Sequence, residues 1–379
     1  MPTMFLPSHR ISPLPEPLPH AVTRHHNGDR ASCPGVQGAA VVARKSYAAG
    51  IICLLCLLLI TPFVAAAPKD RQAAVQTFID DMAARHGFDP ARLLGWMSKA
   101  RFRKDIIRAI SRPAEARPWS QYRPIFLTRA RIEGGERFWR THRATLEQAQ
   151  ERFGVPPEIV TAIIGVETRY GAHTGRYRVL DALSTLAFGY PKRAGFFRAE
   201  LEQFLLMTRE QKLDPLALKG SYAGAMGLGQ FIPSSYRAYA VDFDGNGKAD
   251  LWDPEDAIGS VANYFARHGW RAGKEIAMPA RITAGADPEP LLKAGLRPSL
   301  SLARLRQAGV EPQGDPDEGE TAALLRLEGI AGPEYWLALH NFYVITRYNH
   351  SPLYAMAVYQ LSREIADLEK RRRDEPVPE

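Results

Sequence analysis

Cysteine is nearly absent from this sequence, and the absence excludes thiol chemistry from most of the chain. Among 379 residues there are three cysteines, at positions 33, 53 and 56. Residues 68–379 therefore have no thiol for nucleophilic catalysis and no disulfide. A chain of this length does not need disulfides, because its hydrophobic core is large enough to stabilise it.

Several catalytic and binding motifs are also missing. The sequence has no Gly-x-Ser-x-Gly elbow and no His-Glu-x-x-His zinc site. It has no basic cluster with interleaved aromatic residues, so nucleic acid is not an expected partner. The net charge of +8 suits an acidic polymer or an anionic surface, but solubility alone explains it equally well.

The first 67 residues differ in composition from the rest. Residues 1–43 are rich in Pro, His and Gly and are interpreted as a disordered leader or as the product of a mis-assigned start. Residues 44–67 then combine Arg44-Lys45, an apolar run and three small residues before Pro68. This order predicts a secretory signal peptide, with an uncleaved membrane anchor as the alternative.

Hydrophobic periodicity predicts a mainly helical (α+β) protein. Apolar residues at helical spacing, such as Val75, Phe78 and Met82, predict two or three short helices over 70–112. A long polar helix is expected over 127–153. Further helices are expected over 156–169, 193–211, 254–268 and 355–368.

Short alternating stretches after Lys274 predict a small β-containing insert over 273–334. Residues 335–348 are apolar and aromatic, and the pattern fits either a strand or a helix. Residues 366–379 are interpreted as a charged tail, which is expected to be frayed from Glu369 onward.

Glu167 lies in the apolar run Ile163-Ile164-Gly165-Val166-Glu167. Burying an ionised carboxyl group is costly, so its pKa should rise, and a raised pKa is what a general acid needs near neutral pH. The ordinary alternative is a surface glutamate at a helix end, paired with Arg169.

A glycine-rich segment runs from Gly220 to Gln230. Gly224, Gly227 and Gly229 permit positive φ and close approach of the backbone to a ligand. Ser221 and Gln230 supply polar side chains at its ends. The alternative is a tight turn between helices, and the lack of a phosphate-loop lysine argues against a nucleotide.

The segment 242–253 has the pattern of a calcium-binding EF-hand loop. Oxygen ligands are expected at positions one, three, five, nine and twelve of the loop, and Gly247 occupies position six. The expected ligands are Asp242, Asp244, Asn246, the backbone carbonyl of Lys248, Asp250 and Asp253. Aspartate at position twelve is shorter than the usual glutamate, which favours weaker binding. The alternative is an Asp/Gly-rich turn without metal.

Tyrosines are frequent around these segments, and their rings suit stacking against sugars. For any single tyrosine, packing in the core is the simpler interpretation. The polar pair Tyr348-Asn349 follows an apolar run and fits either a ligand site or a structural turn.

A hydrolase of the usual two-carboxylate type would need a partner for Glu167. The sequence offers Asp181, Glu200, Glu202 and Asp214, but no spacing marks one of them as that partner. A single glutamate fits a different route, in which the substrate supplies the nucleophile.

The motifs together resemble the B-type lytic murein transglycosylases over about residues 70–365. The matching segments are Gly165–Arg169, Leu180–Leu183, Tyr190–Arg193, Ser221–Tyr236, Asp242–Pro254 and Asn341–Asn349. Lys192 replaces an arginine that is common in the family, and Asp244 stands where some members have serine.

The resemblance implies a lysozyme-like core over 154–272, after a helical region at 70–153 and completed by 335–365. It implies cleavage of the β-1,4 bond between N-acetylmuramic acid and N-acetylglucosamine, leaving a 1,6-anhydro ring. Glu167 matches the catalytic acid and base. The positions that match glycan-binding residues are Ser221, Gln230, Tyr122, Arg193, Tyr348, Asn349 and Tyr354.

The same resemblance implies structural calcium, no organic cofactor, and peptidoglycan strands as the partner of a periplasmic monomer. Outer-membrane or wall-synthesis proteins are further candidate partners. Two alternatives remain at this point: a hydrolytic muramidase that uses the same acid with water, and a non-catalytic peptidoglycan-binding scaffold.

Overall fold

The computed structural model describes residues 68–112 and 117–374. The predicted leader and signal segment, and the end of the predicted tail, lie outside this range. Among the described residues no helix is both long and apolar enough to cross a bilayer.

Three short helices open the described chain, as the periodicity predicts. They are α1 (Pro68–His86), α2 (Pro90–Ser98) and α3 (Lys104–Ser111). α2 begins where Asp89 accepts a hydrogen bond from the amide of Ala91 and Pro90 takes the first helical position. Both features favour a helix start, because the first amides of a helix lack partners within it.

The prediction of one long helix over 127–153 is wrong, because this segment forms two helices. After α4 (Trp119–Phe126), α5 (Arg129–Thr141) and α6 (Arg143–Phe153) are separated by His142, whose φ of −111° and ψ of 29° are not helical. The sequence has neither proline nor glycine at this break. The His142 ring packs 4.6 Å from the ring of Phe138, a contact that the polar pattern did not reveal.

The central helix is α7 (Pro157–Thr168), which is buried along nearly its whole length. It packs against α5 and α6 and against two later helices, α11 (Pro254–Arg267) and α15 (Pro352–Asp374). A helix that is apolar on all sides belongs in the middle of a domain. Its position there explains how a glutamate in its last turn comes to be enclosed by protein.

Further helices follow α7 along the chain. They are α8 (Val179–Gly189), α9 (Ala194–Glu210), α10 (Pro233–Tyr239) and α11 (Pro254–Arg267), with a 3₁₀ turn at Pro191–Arg193. Of these, α11 packs against α7, while α9 packs against α8 and α10. Two short strands, β1 (Tyr177–Arg178) and β2 (Lys219–Gly220), pair in antiparallel fashion. This pairing fixes the entrance to the glycine-rich segment.

The predicted small β-containing insert is present and includes five strands. Its elements are β3 (Ala277–Ile282), α12 (Glu289–Leu292), β4 (Leu300–Ser301), α13 (Leu302–Gln307), β5 (Val310–Pro312), β6 (Thr321–Glu328) and β7 (Pro333–Ala338). The strands form an antiparallel sheet in the order β4-β6-β7-β3-β5. The insert has a small core of its own, including Leu302, Val310, Leu324 and Leu337.

The ambiguous segment 335–348 contains both kinds of structure: β7 ends at Ala338 and α14 runs over His340–Tyr348. The last helix, α15 (Pro352–Asp374), extends into the segment predicted to be frayed, so that prediction is wrong through residue 374. Glu369 is buried there and pairs with Arg143 at 2.6 Å, which holds the end of α15 against α6. The mainly helical fold with a small sheet is confirmed.

Candidate active site

Glu167 lies in the last turn of α7, and its carboxyl group is closely surrounded by protein. Part of the Glu167 residue is still exposed to solvent, but burial of its carboxyl group raises the pKa of that group to about 7. The hydroxyl of Tyr354 donates a 2.6 Å hydrogen bond to Oε1, which opposes that rise in part. Among the described residues Glu167 forms no ion pair, so the surface pairing with Arg169 is not seen. The carboxyl is therefore poised to exchange a proton near neutral pH.

Three tyrosines from different elements surround this carboxyl. Tyr122 comes from α4, Tyr348 from the end of α14 and Tyr354 from α15. Burial raises the pKa of each hydroxyl, and the charge of Glu167 raises each pKa further. The three hydroxyls therefore stay neutral. Tyr348 donates to the carbonyl of Gly229 and so holds the glycine-rich segment against the site.

The glycine-rich segment approaches as a tight, hydrogen-bonded loop. Met226 and Phe231 exchange backbone bonds of 2.8 and 2.9 Å. Gly227 has a φ of +71°, and a Cβ there would lie 2.4 Å from Leu251, so glycine is required. Ser221 Oγ accepts from the amide of Ala225 at 3.0 Å. No described residue accepts its hydroxyl proton, which leaves that proton available to a ligand.

Gln230 carries the clearest unused hydrogen-bonding group in this region. Its Nε2 donates to the carbonyls of Gly227 and Thr174 at 2.9 and 3.1 Å. Its Oε1 is buried and has no partner among the described residues. Leaving a buried acceptor unpaired costs about 1–3 kcal/mol, so a ligand that donates to Oε1 would recover that energy. The residue also has a φ of +54°, a strained conformation of the kind found at functional sites.

Two other predicted substrate residues have structural partners. Arg193 stacks over Phe196 and Phe197, at 4.3 and 5.3 Å from the ring centres, and burial lowers its pKa. Asn349 is buried, and its Oδ1 accepts from the amide of Ser351 at the start of α15. For Asn349 the structural-turn interpretation is therefore supported, and its contact with substrate stays a prediction.

The loop 242–253 is arranged around carboxylates, as its pattern predicts. Asp242 accepts from the amides of Gly245 and Gly247 at 2.9 and 2.8 Å. Asp244 accepts from the amide of Asn246 at 2.9 Å, and Asn246 accepts from the amide of Lys248 at 3.0 Å. These bonds shape the loop but do not by themselves require a metal.

Asp256 is a candidate metal ligand that the sequence pattern missed. Ligand oxygens of Asp242, Asp244 and Asp256 lie within 4.8 Å of one another. Asp253, predicted at position twelve, instead accepts from the amide of Glu255 and caps α11. Asp250 accepts from the amide of Trp252. The signal for Asp256 was an aspartate in the first turn of α11, three residues beyond the standard loop. Three convergent carboxylates fit a hard divalent cation such as calcium.

Residues 70–363 match the family model described as the transglycosylase SLT domain. The chain is also 48% identical over 301 residues to the membrane-bound lytic murein transglycosylase B of Escherichia coli K12, covering 77% of this chain and 82% of that protein.

The chain belongs to the SLT-domain lytic transglycosylases.

Solved structures of this family have the same fold. The soluble lytic transglycosylase SltB1 of Pseudomonas aeruginosa matches with a TM-score of 0.75 and 51% identity, over 78% of this chain and 99% of that one. The E. coli lytic transglycosylase Slt35, solved with bulgecin A and with calcium, matches with a TM-score of 0.73 and 48% identity, over 78% and 94% of the two chains. The lysozyme-like fold class and the enzymatic class predicted from the motifs are confirmed.

Proposed function

We propose that this transglycosylase cleaves the β-1,4 bond between N-acetylmuramic acid and N-acetylglucosamine in peptidoglycan and that Glu167 is its only acid–base group. The observation that carries the proposal is the isolation of the Glu167 carboxyl, which meets one hydroxyl and no second carboxylate in the described structure.

Each carboxylate that could have been a partner is held elsewhere. Asp181 binds Arg178 and the amide of Arg101. Glu200 accepts from the amide and hydroxyl of Ser234. The remaining two also have their own contacts: Glu202 binds Arg85 and His86, and Asp214 accepts from the amide of Leu216. A two-carboxylate hydrolase would need one of them across the scissile bond.

The mechanism follows from one group that changes its protonation state. Glu167, protonated near neutral pH, donates its proton to the glycosidic oxygen as the bond to the muramyl C1 breaks. The resulting carboxylate then takes the proton from the C6 hydroxyl of the same sugar. That oxygen bonds to C1 and closes the 1,6-anhydro ring, with assistance from the 2-acetamido group. Glu167 ends protonated, and no water is consumed.

The surrounding residues supply orientation. The hydroxyl of Tyr122 and the free proton of Ser221 offer donors to a glycan. The unpaired Oε1 of Gln230 offers an acceptor, and so do the hydroxyl oxygens of Tyr348 and Tyr354, whose protons go to Gly229 and Glu167. We place Arg193 and Asn349 at the edge of the same cleft.

The acidic loop, residues 242–256, has a structural role in this proposal. Asp242, Asp244 and Asp256 would hold calcium, which would fix the loop that packs behind the glycine-rich segment. The calcium complex of Slt35 supports this assignment. The membrane-bound relative and the predicted signal segment support a position in the cell envelope, where the enzyme would take part in wall turnover.

Product analysis tests the reaction. Digestion of purified peptidoglycan should release fragments ending in 1,6-anhydromuramic acid, detected by mass spectrometry as a deficit of one water. Glu167→Gln should lower the rate at least about a hundredfold, the usual scale for a general acid, while the variant still sediments with peptidoglycan. Reducing muramic ends would indicate a muramidase instead, and undiminished lysis by the variant would remove Glu167 from this role.

A further inference from the structure

The chain makes an unusual turn directly after Glu167. Arg169 and Tyr170 have φ values of 51° and 61°, so two consecutive residues that are not glycine adopt the left-handed conformation. This conformation is strained for a residue with a side chain and persists only where neighbouring contacts impose it. The contacts that impose this turn come from Thr168 and from Tyr170 itself.

Thr168 joins three segments through a single hydroxyl. Its Oγ1 lies 3.1 Å from the carbonyl of Ile164 and 2.9 Å from the carbonyl of Leu228, and it can donate to either. The same oxygen accepts from the amide of Gly171 at 3.0 Å. Thr168 is fully buried, so water cannot replace these bonds. The last turn of α7, the left-handed turn and the glycine-rich segment therefore meet at one side chain.

Leu228 extends this connection to the acidic loop. While its carbonyl accepts from Thr168, its amide donates to the carbonyl of Leu251 at 2.8 Å. A single residue of the glycine-rich segment is thus held from both sides. The hydrogen bonds of Thr168, the residue that follows Glu167, therefore set the distance between Glu167 and the glycine-rich segment.

Tyr170 holds the far side of the turn. Its ring lies in a slot formed by Gly134, Gly135 and Gly165, and its hydroxyl donates to the carbonyl of Arg131 at 2.7 Å. A Cβ on Gly165 would lie 2.5 Å from the hydroxyl oxygen of Tyr170. The slot therefore leaves the ring little freedom.

We infer that Thr168, supported by Tyr170, is a positioning residue that sets Glu167 against the glycine-rich segment and thereby against the scissile bond. The inference rests on the proposed role of Glu167 as the acid. It adds that the hydroxyl next to that acid contributes to turnover without touching substrate.

Thr168→Val tests the inference, because it keeps the shape of the side chain and removes the hydroxyl. On soluble glycan strands we expect kcat to fall about 10- to 100-fold, since a small misplacement of a catalytic group has effects of that size. KM should change less than about threefold, because the groups that bind the glycan remain in place. Thr168→Ser, which restores the hydroxyl, should recover most of kcat.

Thr161→Val is the matched control. Thr161 lies on the same helix and is also fully buried, but its hydroxyl has no hydrogen-bond partner in the described structure. Its replacement should leave kcat and KM unchanged. Equal losses in the two valine variants would indicate a general cost of altering α7 and would overturn the inference.

Glu167→Gln, measured in the same assay, separates this inference from the proposed function. Activity in that variant would show that Glu167 is not the catalytic acid and would contradict the proposed function. An inactive Glu167→Gln together with full kcat in Thr168→Val, or with no recovery in Thr168→Ser, would overturn only the positioning role. If Thr168→Val does not fold, Tyr170→Phe probes the same turn: a lower kcat at unchanged KM supports the inference, and an unchanged kcat contradicts it.

Discussion

The end of α7 and the acidic loop both present buried carboxyl groups, but they supply very different numbers of donors. Glu167 receives one hydrogen bond, from the hydroxyl of Tyr354. Asp256 receives three from the backbone, donated by Phe243, Asp244 and Asp250. Burial raises the pKa of both carboxyl groups, but three amide donors oppose the rise at Asp256, whereas a single hydroxyl opposes it at Glu167. The oriented carboxylate of Asp256 suits a cation, and the carboxyl of Glu167, with its single donor, suits the transfer of a proton.

The largest expected effect concerns the pH dependence of stability. Burial raises the pKa of Glu167 from 4.5 to about 7, so the fold favours the protonated form. This stabilisation is fully present below pH 4.5 and is lost as the pH rises through 7. Relative to Glu167→Gln, the wild-type free energy of unfolding should therefore fall by of order 3 kcal/mol from about pH 4 to about pH 8. Urea denaturation of both proteins at several pH values measures this difference.

An exposed glutamate provides the control for that measurement. Glu151 lies on the exposed face of α6, and Glu151→Gln should follow the wild-type pH dependence. If the wild type and Glu167→Gln instead gave parallel curves, the carboxyl would not be protonated in the fold. The contrast between the two regions would then lose its basis.

The enclosure of Glu167 could be predicted from the sequence, because an uninterrupted apolar helix has no face for water. Its hydroxyl partner could be suspected only through the family, since Tyr354 lies 187 residues away along the chain. The left-handed pair Arg169-Tyr170 was not predictable either. Neither residue is a glycine, and the slot that imposes the conformation is built from α5 and α7 together.

In the acidic loop, the local structure could be predicted from the sequence, but the residue that closes the loop could not. Its turns and its aspartates follow directly from local sequence, because Asx-type bonds and glycines act over a few residues. Its closing carboxylate did not follow, since counting to position twelve gives Asp253. That residue caps the start of α11, and the carboxylate of Asp256, in the first turn of this helix, lies close to those of Asp242 and Asp244 instead.

Substituting Asp253 and Asp256 separately shows which of the two aspartates closes the loop. Asp256→Asn should weaken calcium binding by roughly 10- to 100-fold, because it removes a convergent carboxylate and its charge. Asp253→Asn should weaken binding by less than about threefold, since asparagine also caps helices well. Isothermal titration of calcium into each purified variant gives both affinities. A larger loss of affinity in Asp253→Asn would show that Asp253, at position twelve, is the residue that closes the loop.

The smallest expected effect concerns the one donor that Glu167 has. Tyr354→Phe removes the hydroxyl whose hydrogen bond lowers the pKa of Glu167, so that pKa should rise further. Because the acid must be protonated, the alkaline limb of the kcat–pH profile should move to higher pH. The value of kcat should fall about tenfold as the carboxyl loses its orientation. Tyr359→Phe is the matched control, since that hydroxyl lies on the same helix but donates to the carbonyl of Ala277 in the sheet insert. An alkaline limb that moved to lower pH in Tyr354→Phe would show that the hydroxyl stabilises the protonated acid, and Glu167 would then owe its high pKa to its partner as well as to burial.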